Sequence, residues 1–415
     1  MAAHFTPPSS VGIIGAGVVG LATAWALQRR GISVTVIDRS GVAAGATQGN
    51  AGWVTPSMAT PLPSPAVLRY GLRAVLKPTS PVFIPPTANP RTLHFLAAFA
   101  RNCTSRRWRS GMRALAPINL AAVAAYDQLA DSGVGFAARG SYLAGFRSDA
   151  ERQALVSDLE QARTMGQDIE LTLLDDDEAR EREPALSSEI RAAAEVVGER
   201  FIDPGAFAHE LAATIIDHGG RILRGTAVEH VVVDSPHRLV LTNGEDHSFD
   251  AVVIATGAWL DRLVRPFGVR VPIHGGRGYS FSVTGRRMPG QAVYLPEQRV
   301  VCTPLNGRAR ISGMMEIQNP DAPSSRRRIQ AIIDSARSLL TGLDFDDRRD
   351  EWMGSRPCTA DGLPVIGGLG PRGIYAHGGH GMWGVTQAPA TASLLAEMIV
   401  TGRPSPQLSP FDPLR

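Results

Sequence analysis

Residues 11–38 carry the most legible chemistry in the chain. Gly15, Gly17 and Gly20 form a GxGxxG pattern between an apolar run, VGIIGAG, and a helical one, VVGLATAWALQRRG; Asp38 closes a second apolar run, ISVTVID. Each residue has a mechanical task at a dinucleotide. Gly15 permits the tight turn, Gly17 lets the backbone approach a pyrophosphate at the helix N-terminus, Gly20 lets helix and strand pack closely, and Asp38 accepts ribose hydroxyls. Strand, turn, helix, strand and acid together predict dinucleotide binding, but they do not separate NAD from FAD. A second conspicuous charge, Arg356, sits among turn residues at the far end, in EWMGSRPCTADGLPVIGG.

The elements that position these residues must come from a chain of 415 residues, long enough for two or three domains. Its net charge of +3 gives no case for nucleic acid. Lys77 is the only lysine and precedes Pro78, which excludes a P-loop and leaves no plausible Schiff-base lysine. Cys103, Cys302 and Cys358 are too few and too scattered for a disulfide framework, so a reducing, cytoplasmic setting is expected. The uncharged run at residues 11–27 lacks the positive flank of a signal peptide and is short for a membrane span. Arg106, Arg107, Arg109 and Arg113 with Trp108 make a basic patch that reads as a solvated face, or as a contact with an anionic membrane. His377 and His380 have metal-ligand spacing, but nothing completes a set, and no metal is expected.

After Asp38 the sequence enters a long Gly/Ala/Pro loop rather than another βα unit; GNAGWVTP (residues 49–56) could run along a large planar cofactor, or be a surface loop. Residues 90–132 read as helical. ARGSYLAGF predicts a strand, SDAERQALVSDLEQARTMG a charged helix and LLDDDEAREREPAL a short capped one. A helix from about residue 204 leads through two short strands to FDAVVIATGAW, which returns to the first domain and ends at Ala255-Thr256-Gly257 beside the cofactor. VPIHGGRGYSFSV, AVYLPEQRVVCTPL and RARISGMMEI alternate like antiparallel strands with a turn at Asn306-Gly307. SSRRRIQAIIDSARSLL reads as a helix whose arginines face water, and the last block is a strand, a glycine-rich turn and a helix.

In this order GAGVVGLATAWAL with Asp38, GNAGWVTP, IDPGAFAHELA, VVIATGAW, GRGYSFSV, ISGMMEI, GSRPCTADGLPVIGG and GGHGMWGVTQAPA resemble the glycine and D-amino acid oxidase (DAO) family, and most nearly its bacterial D-amino acid dehydrogenase branch. Residues 61–195 carry the least of the likeness. The resemblance implies an α/β fold, with a Rossmann-like FAD-binding domain assembled from residues 1–134, 200–260 and 350–415. A mainly antiparallel sheet from 135–199 and 261–349 would bind substrate. It implies noncovalent FAD, since no His or Cys matches the attachment positions of covalent members. Gly15, Gly17, Gly20, Asp38 and Arg39 would hold the ADP part, with Val228 at the adenine and Gly257 beside the cofactor. Asn50, Ala51 and Gly52 would line the flavin. Gly381, Met382, Trp383, Gly384, Val385 and Thr386 would aim amides and a helix dipole at its N1/O2 edge.

In the same family the arginine of Gly-x-Arg-Pro grips the substrate carboxylate, and Gly354-Ser355-Arg356-Pro357 matches it. A planar guanidinium suits a carboxylate by donating two parallel hydrogen bonds; the alternative is a structural arginine paired with an acid such as Asp361. Tyr279 is a second pocket candidate. The implied reaction moves hydride from Cα to flavin N5, leaving an imine that hydrolyses to a 2-oxo acid and ammonia, with no side-chain base if the amine arrives neutral. Acyclic D-amino acids and cyclic ones such as D-proline or hydroxyproline both remain open, because Trp53 and Cys358 depart from the branch pattern. Glycine or sarcosine oxidation by dioxygen, an NAD-dependent dehydrogenase and a flavoprotein subunit without turnover are the rivals. A quinone-type electron acceptor is expected, and with it a possible peripheral contact on the inner membrane face, because no lysine is available over the flavin to favour dioxygen; Arg277 is the one substitute.

Overall fold

The computed structural model describes residues 5–74, 79–136 and 140–415, with the side chains of 72–74 excepted. Lys77 lies outside the described residues. Two sheets organise the rest. The first has six strands in the order Val365–Gly368, Ile374–Gly378, Ala251–Ile254, Ser10–Ile14, Ser33–Asp38 and Arg221–Arg224, all parallel except the first pair. Continuous apolar runs such as VGII and AVVI belong here because a parallel sheet is covered on both faces. Leu21, Ala24 and Leu27 of the helix Val18–Gln28 share one buried core with Ala388, Leu395 and Ile399 of the helix Gly384–Thr401. The two glycine-rich segments at opposite ends of the sequence therefore meet in space.

The second sheet has nine strands and is mixed. Its longest paired block is at one edge, where Ile273–Gly285 pairs antiparallel with the edge strand Leu343–Thr359 on one side and with Arg308–Ile317 on the other. The expected hairpin turn is present: Asn306 and Gly307 both have positive φ, 51° and 74°, as a two-residue turn matching strand twist requires. The predicted strand at 142–146, the helices over 90–132 and the short acidic helix Asp176–Arg182 also form. Asp175 caps that last helix in a capping box with Glu178.

Sheet membership departs from the expected segments in two places. Leu343–Thr359 stays paired with Ile273–Gly285 through Thr359, so residues 350–359 belong to the second sheet rather than to the cofactor segment. Val82–Phe83 adds a parallel pair to Arg308–Ile317, so part of segment 1–134 also joins the substrate side. A 17-residue strand carries no compositional break at its middle, and a two-residue strand carries no period at all. The helix Arg326–Ala336 also differs from expectation: Arg328 is buried, with its guanidinium over Phe83 and 3.8 Å from Glu316.

Candidate active site and cofactor cleft

A cleft of about 410 Å³ opens at the C-terminal ends of the first sheet's strands. Gly15 and Gly17 line it, and the glycine geometry is strict. Gly15 has φ +115°, and a Cβ there would lie 2.5 Å from the Ala255 carbonyl oxygen; one on Gly20 would lie 2.0 Å from the Gly15 oxygen. Gly20 is thus a packing residue behind the cleft, and Gly17 leaves the space open, its nearest neighbour being Thr47 Oγ1 at 3.5 Å. The Asp38 carboxylate accepts the amides of Ala16 (2.9 Å), Ser40 (2.8 Å) and Gly41 (2.9 Å), which fixes the turn against the second strand. Arg39 lies 3.9 Å over the Trp259 ring, and both line the cleft with Val228 and Gly257.

From the other end come Gly381, Met382, Gly384 and Val385, at the N-terminus of the 18-residue helix Gly384–Thr401. Thr386 does not line the cleft. Its hydroxyl donates to the Trp53 carbonyl (3.1 Å) and accepts the Thr55 amide (3.2 Å), clamping the GNAGWVTP loop to the helix. Gly52 is likewise structural, with φ +79° and the Ile202 carbonyl 1.9 Å from any added Cβ, while the Asn50 side chain accepts its amide at 2.8 Å.

A second cavity of about 370 Å³ adjoins the cleft, lined by Ala51, Trp53 and Trp383 among others. The two share Asn50, Arg356 and Met382. Arg356 therefore stands at the junction. It faces no carboxylate within ion-pair distance among the described residues, and its one hydrogen bond is Nη1 to the Met314 carbonyl at 3.0 Å. Asp361, the acid that a structural reading would give it, is held by Arg415 at 2.8 Å. Desolvation pushes Arg356 below the ordinary arginine value, yet a guanidinium stays charged. Met314 is strained at φ 69°, at a bulge where the strand Arg308–Ile317 gains a residue against Arg277 and Tyr279. That bulge turns its carbonyl towards Arg356.

Tyr279 is corrected by this geometry. It lines neither cavity, is buried, and its hydroxyl donates to Glu316 at 2.8 Å. Burial first, and then the hydrogen bond to Glu316, push its phenol up to about 12. Strand parity is the reason. Gly276 and Gly278 share the face of Arg356: a Cβ on Gly278 would lie 2.3 Å from its guanidinium, and one on Gly276 2.6 Å from Cys358 Sγ; Arg277 and Tyr279 point to the opposite face. Arg277 too lines neither cavity, lying 3.8 Å from Glu316. Small residues at alternate positions in HGGRGYS were the sequence signal for the face that matters.

Thr256 lines the cleft where the strand end placed it, whereas Thr47, whose hydroxyl accepts the Val18 amide at 3.2 Å, was not foreseen. Thr47 is a single polar residue outside the quoted motifs. His380 lines the cleft; burial holds it down to about 3, so its ring is neutral. Thr256 Oγ1 and His380 Nδ1 are buried on the cleft wall without partners among the described residues. With the glycine cradle, the oriented helix N-terminus and a volume that suits a cofactor, these residues fit a dinucleotide. His377 lines the cleft as well, and its ring is held from both sides, Nδ1 2.7 Å from Thr23 Oγ1 and Nε2 2.9 Å from Thr391 Oγ1.

A family model described as FAD dependent oxidoreductase, DAO, matches residues 10–398, and the chain belongs to that family. It is an FAD-dependent enzyme. Among curated relatives, the D-amino acid dehydrogenase of Cereibacter sphaeroides (strain ATCC 17029 / ATH 2.4.9) is 32% identical over 399 residues, covering 93% of this chain and 91% of that protein. That of Agrobacterium fabrum is 30% identical over 409 residues, covering 95% and 96%. Of solved structures, glycine oxidase from Geobacillus kaustophilus superposes with a TM-score of 0.77 at 22% identity, covering 99% of each chain. L-Proline dehydrogenase from P. horikoshii gives 0.70 at 20%, covering 99% of this chain and 98% of that one. At these identities the structures speak for the fold.

FAD is expected to be held without a covalent bond. Cys358, the thiol nearest Arg356 in sequence, is buried, lines neither cavity and is pushed up to about 11 by burial, so it is a poor nucleophile. Acid precipitation should leave the yellow colour in the supernatant; colour in the pellet would contradict this.

Proposed function

We propose that the protein catalyses oxidative deamination of D-amino acids to 2-oxo acids. The observation that carries this is Arg356, a charged guanidinium without a carboxylate partner among the described residues, at the junction of the cofactor cleft and a chiefly apolar cavity. FAD, when bound, supplies the acceptor for a hydride from Cα. The protein's own residues hold the substrate. Arg356 takes the carboxylate in a two-pronged grip, with its plane set by the Met314 carbonyl and by the space over Gly278. The apolar wall excludes water from the carbon that reacts. The D configuration is supported by the relatives at 30–32% identity, all over nine-tenths of this chain. Anaerobic titration with D-, L- and N-substituted amino acids tests the reading. Bleaching of the flavin by D-amino acids supports it; bleaching only by glycine, sarcosine or L-amino acids overturns it.

The finer part of the reading is a quinone-type acceptor. Arg277, the one substitute for a lysine over the flavin, points to the far face of the sheet and is close to Glu316. Arg356, the arginine common to both cavities, is engaged with the carboxylate. Arg310, which has no acid partner among the described residues, is tied to the loop backbone instead, its Nη1 donating to the carbonyls of Gln48 (3.0 Å) and Asn50 (3.3 Å). The exposed Arg106, Arg107, Arg109 and Arg113 give a cationic face for meeting an anionic membrane surface. Turnover with a soluble quinone or dye is expected to exceed turnover with dioxygen; stopped-flow reoxidation in air-saturated buffer as fast as steady-state turnover, with stoichiometric hydrogen peroxide, would make the protein an oxidase.

A further inference from the structure

The cavity beside Arg356 is far larger than a carboxylate and an α-carbon need. Beyond Arg356 and a few neutral polar groups such as Asn50, Thr55 and Ser312 its wall is chiefly apolar, with Leu68, Phe95, Phe99, Val301, Met315 and Ile317 lining it. No Asp, Glu, His or Lys stands among the described residues that line it. Its other cation, Arg299, is exposed at φ 52° and lies 4.6 Å over the Tyr70 ring, so it is screened by solvent. Resting on the amino acid reading above, we propose that the substrates are D-amino acids with large apolar side chains, of the leucine, methionine and phenylalanine class.

The geometry leaves the side chain one place to go. With the carboxylate on Arg356 and the cofactor in the adjoining cleft, a substituent on Cα extends into the apolar cavity. Each methylene that enters it should tighten binding roughly fourfold. Glycine or alanine would leave most of the cavity unfilled. A lysine-like side chain would be desolvated against a wall with no counter-charge. Gly71 lies on the same helical face as Val67 and Leu68, and a Cβ there would meet nothing within 4 Å among the described residues.

Trp53 and Trp383 line the cavity, so tryptophan fluorescence of the holoprotein reports occupancy without any turnover. Acetate, butyrate, hexanoate and octanoate should bind with affinity rising steeply along the series. Gly71→Leu, checked for bound flavin and circular dichroism, should reduce the octanoate-to-acetate affinity ratio by about tenfold. A flat series on the wild-type protein, or an unchanged ratio in a folded variant, overturns the pocket assignment. Anaerobic bleaching by D-leucine, D-methionine and D-phenylalanine in preference to D-alanine and D-lysine supports the substrate class. A rising carboxylate series with no bleaching by any amino acid would instead sink the amino acid reading and the substrate assignment with it, while keeping the apolar pocket. A flat series with good D-alanine turnover would sink only this inference.

Discussion

Arg356→Ala is expected to weaken the apparent affinity for the amino acid by about tenfold or more while FAD stays bound. A hydrogen bond to a charged group contributes roughly 1.5 to 3 kcal/mol, and about 1.4 kcal/mol is a factor of ten in affinity. The protein loses little else. Arg356 is half-buried, pairs with no acid among the described residues, and gives up a single bond to the Met314 carbonyl. Removing it therefore strands no buried carboxylate, and the stability of the fold should hardly move. Arg356→Lys keeps the charge but not the fork, and should recover only part of the loss. Steady-state kinetics with the best D-amino acid, together with the flavin content of each variant, checks the result. Unchanged kinetics would remove Arg356 from substrate binding, and loss of flavin would make it a support of the cofactor cleft.

The cofactor half of this site was legible because its demands are local. Gly15, Gly17, Gly20 and Asp38 lie within 24 residues; a Cβ would be blocked by backbone at Gly15 and Gly20, Gly17 leaves the cleft open, and Asp38 accepts the amides of the turn. Arg356 was legible only through its neighbours in the Gly-x-Arg-Pro motif. What failed was the choice of face: Tyr279 and Arg277 were judged by type, whereas period-two alternation on the strand Ile273–Gly285 decides which side a residue serves. The apolar cavity was invisible for a different reason. Phe95 and Phe99 on the helix Pro90–Asn102, and Val67 and Leu68 on Pro65–Ala74, have the spacing of any core-facing helix. Whether such a stripe meets a wall or a void depends on what lies opposite, and no local pattern records that.

The face opposite the site gives the complementary result: Glu316→Ala should unfold the protein more easily by about 3 to 5 kcal/mol, the cost of breaking a buried ion pair. Glu316 is buried, accepts the Tyr279 hydroxyl at 2.8 Å and lies 3.8 Å from both Arg277 and Arg328. Arg277 has no exposed surface, so without Glu316 its charge is left with hydroxyl, sulfur and carbonyl acceptors only: Tyr279, Met353 and Pro323. Glu316→Gln, which keeps an oxygen for Tyr279 but removes the charge, should fall between wild type and alanine. Tyr279→Phe should cost only about 1 kcal/mol, one neutral hydrogen bond. Urea unfolding followed by circular dichroism measures all three. In each folded variant the affinity for substrate should stay near wild type, the reverse of Arg356→Ala. If Tyr279→Phe instead lowers substrate affinity at unchanged stability, the phenol reaches the substrate after all, and the division of this sheet into a binding face and a structural face is wrong.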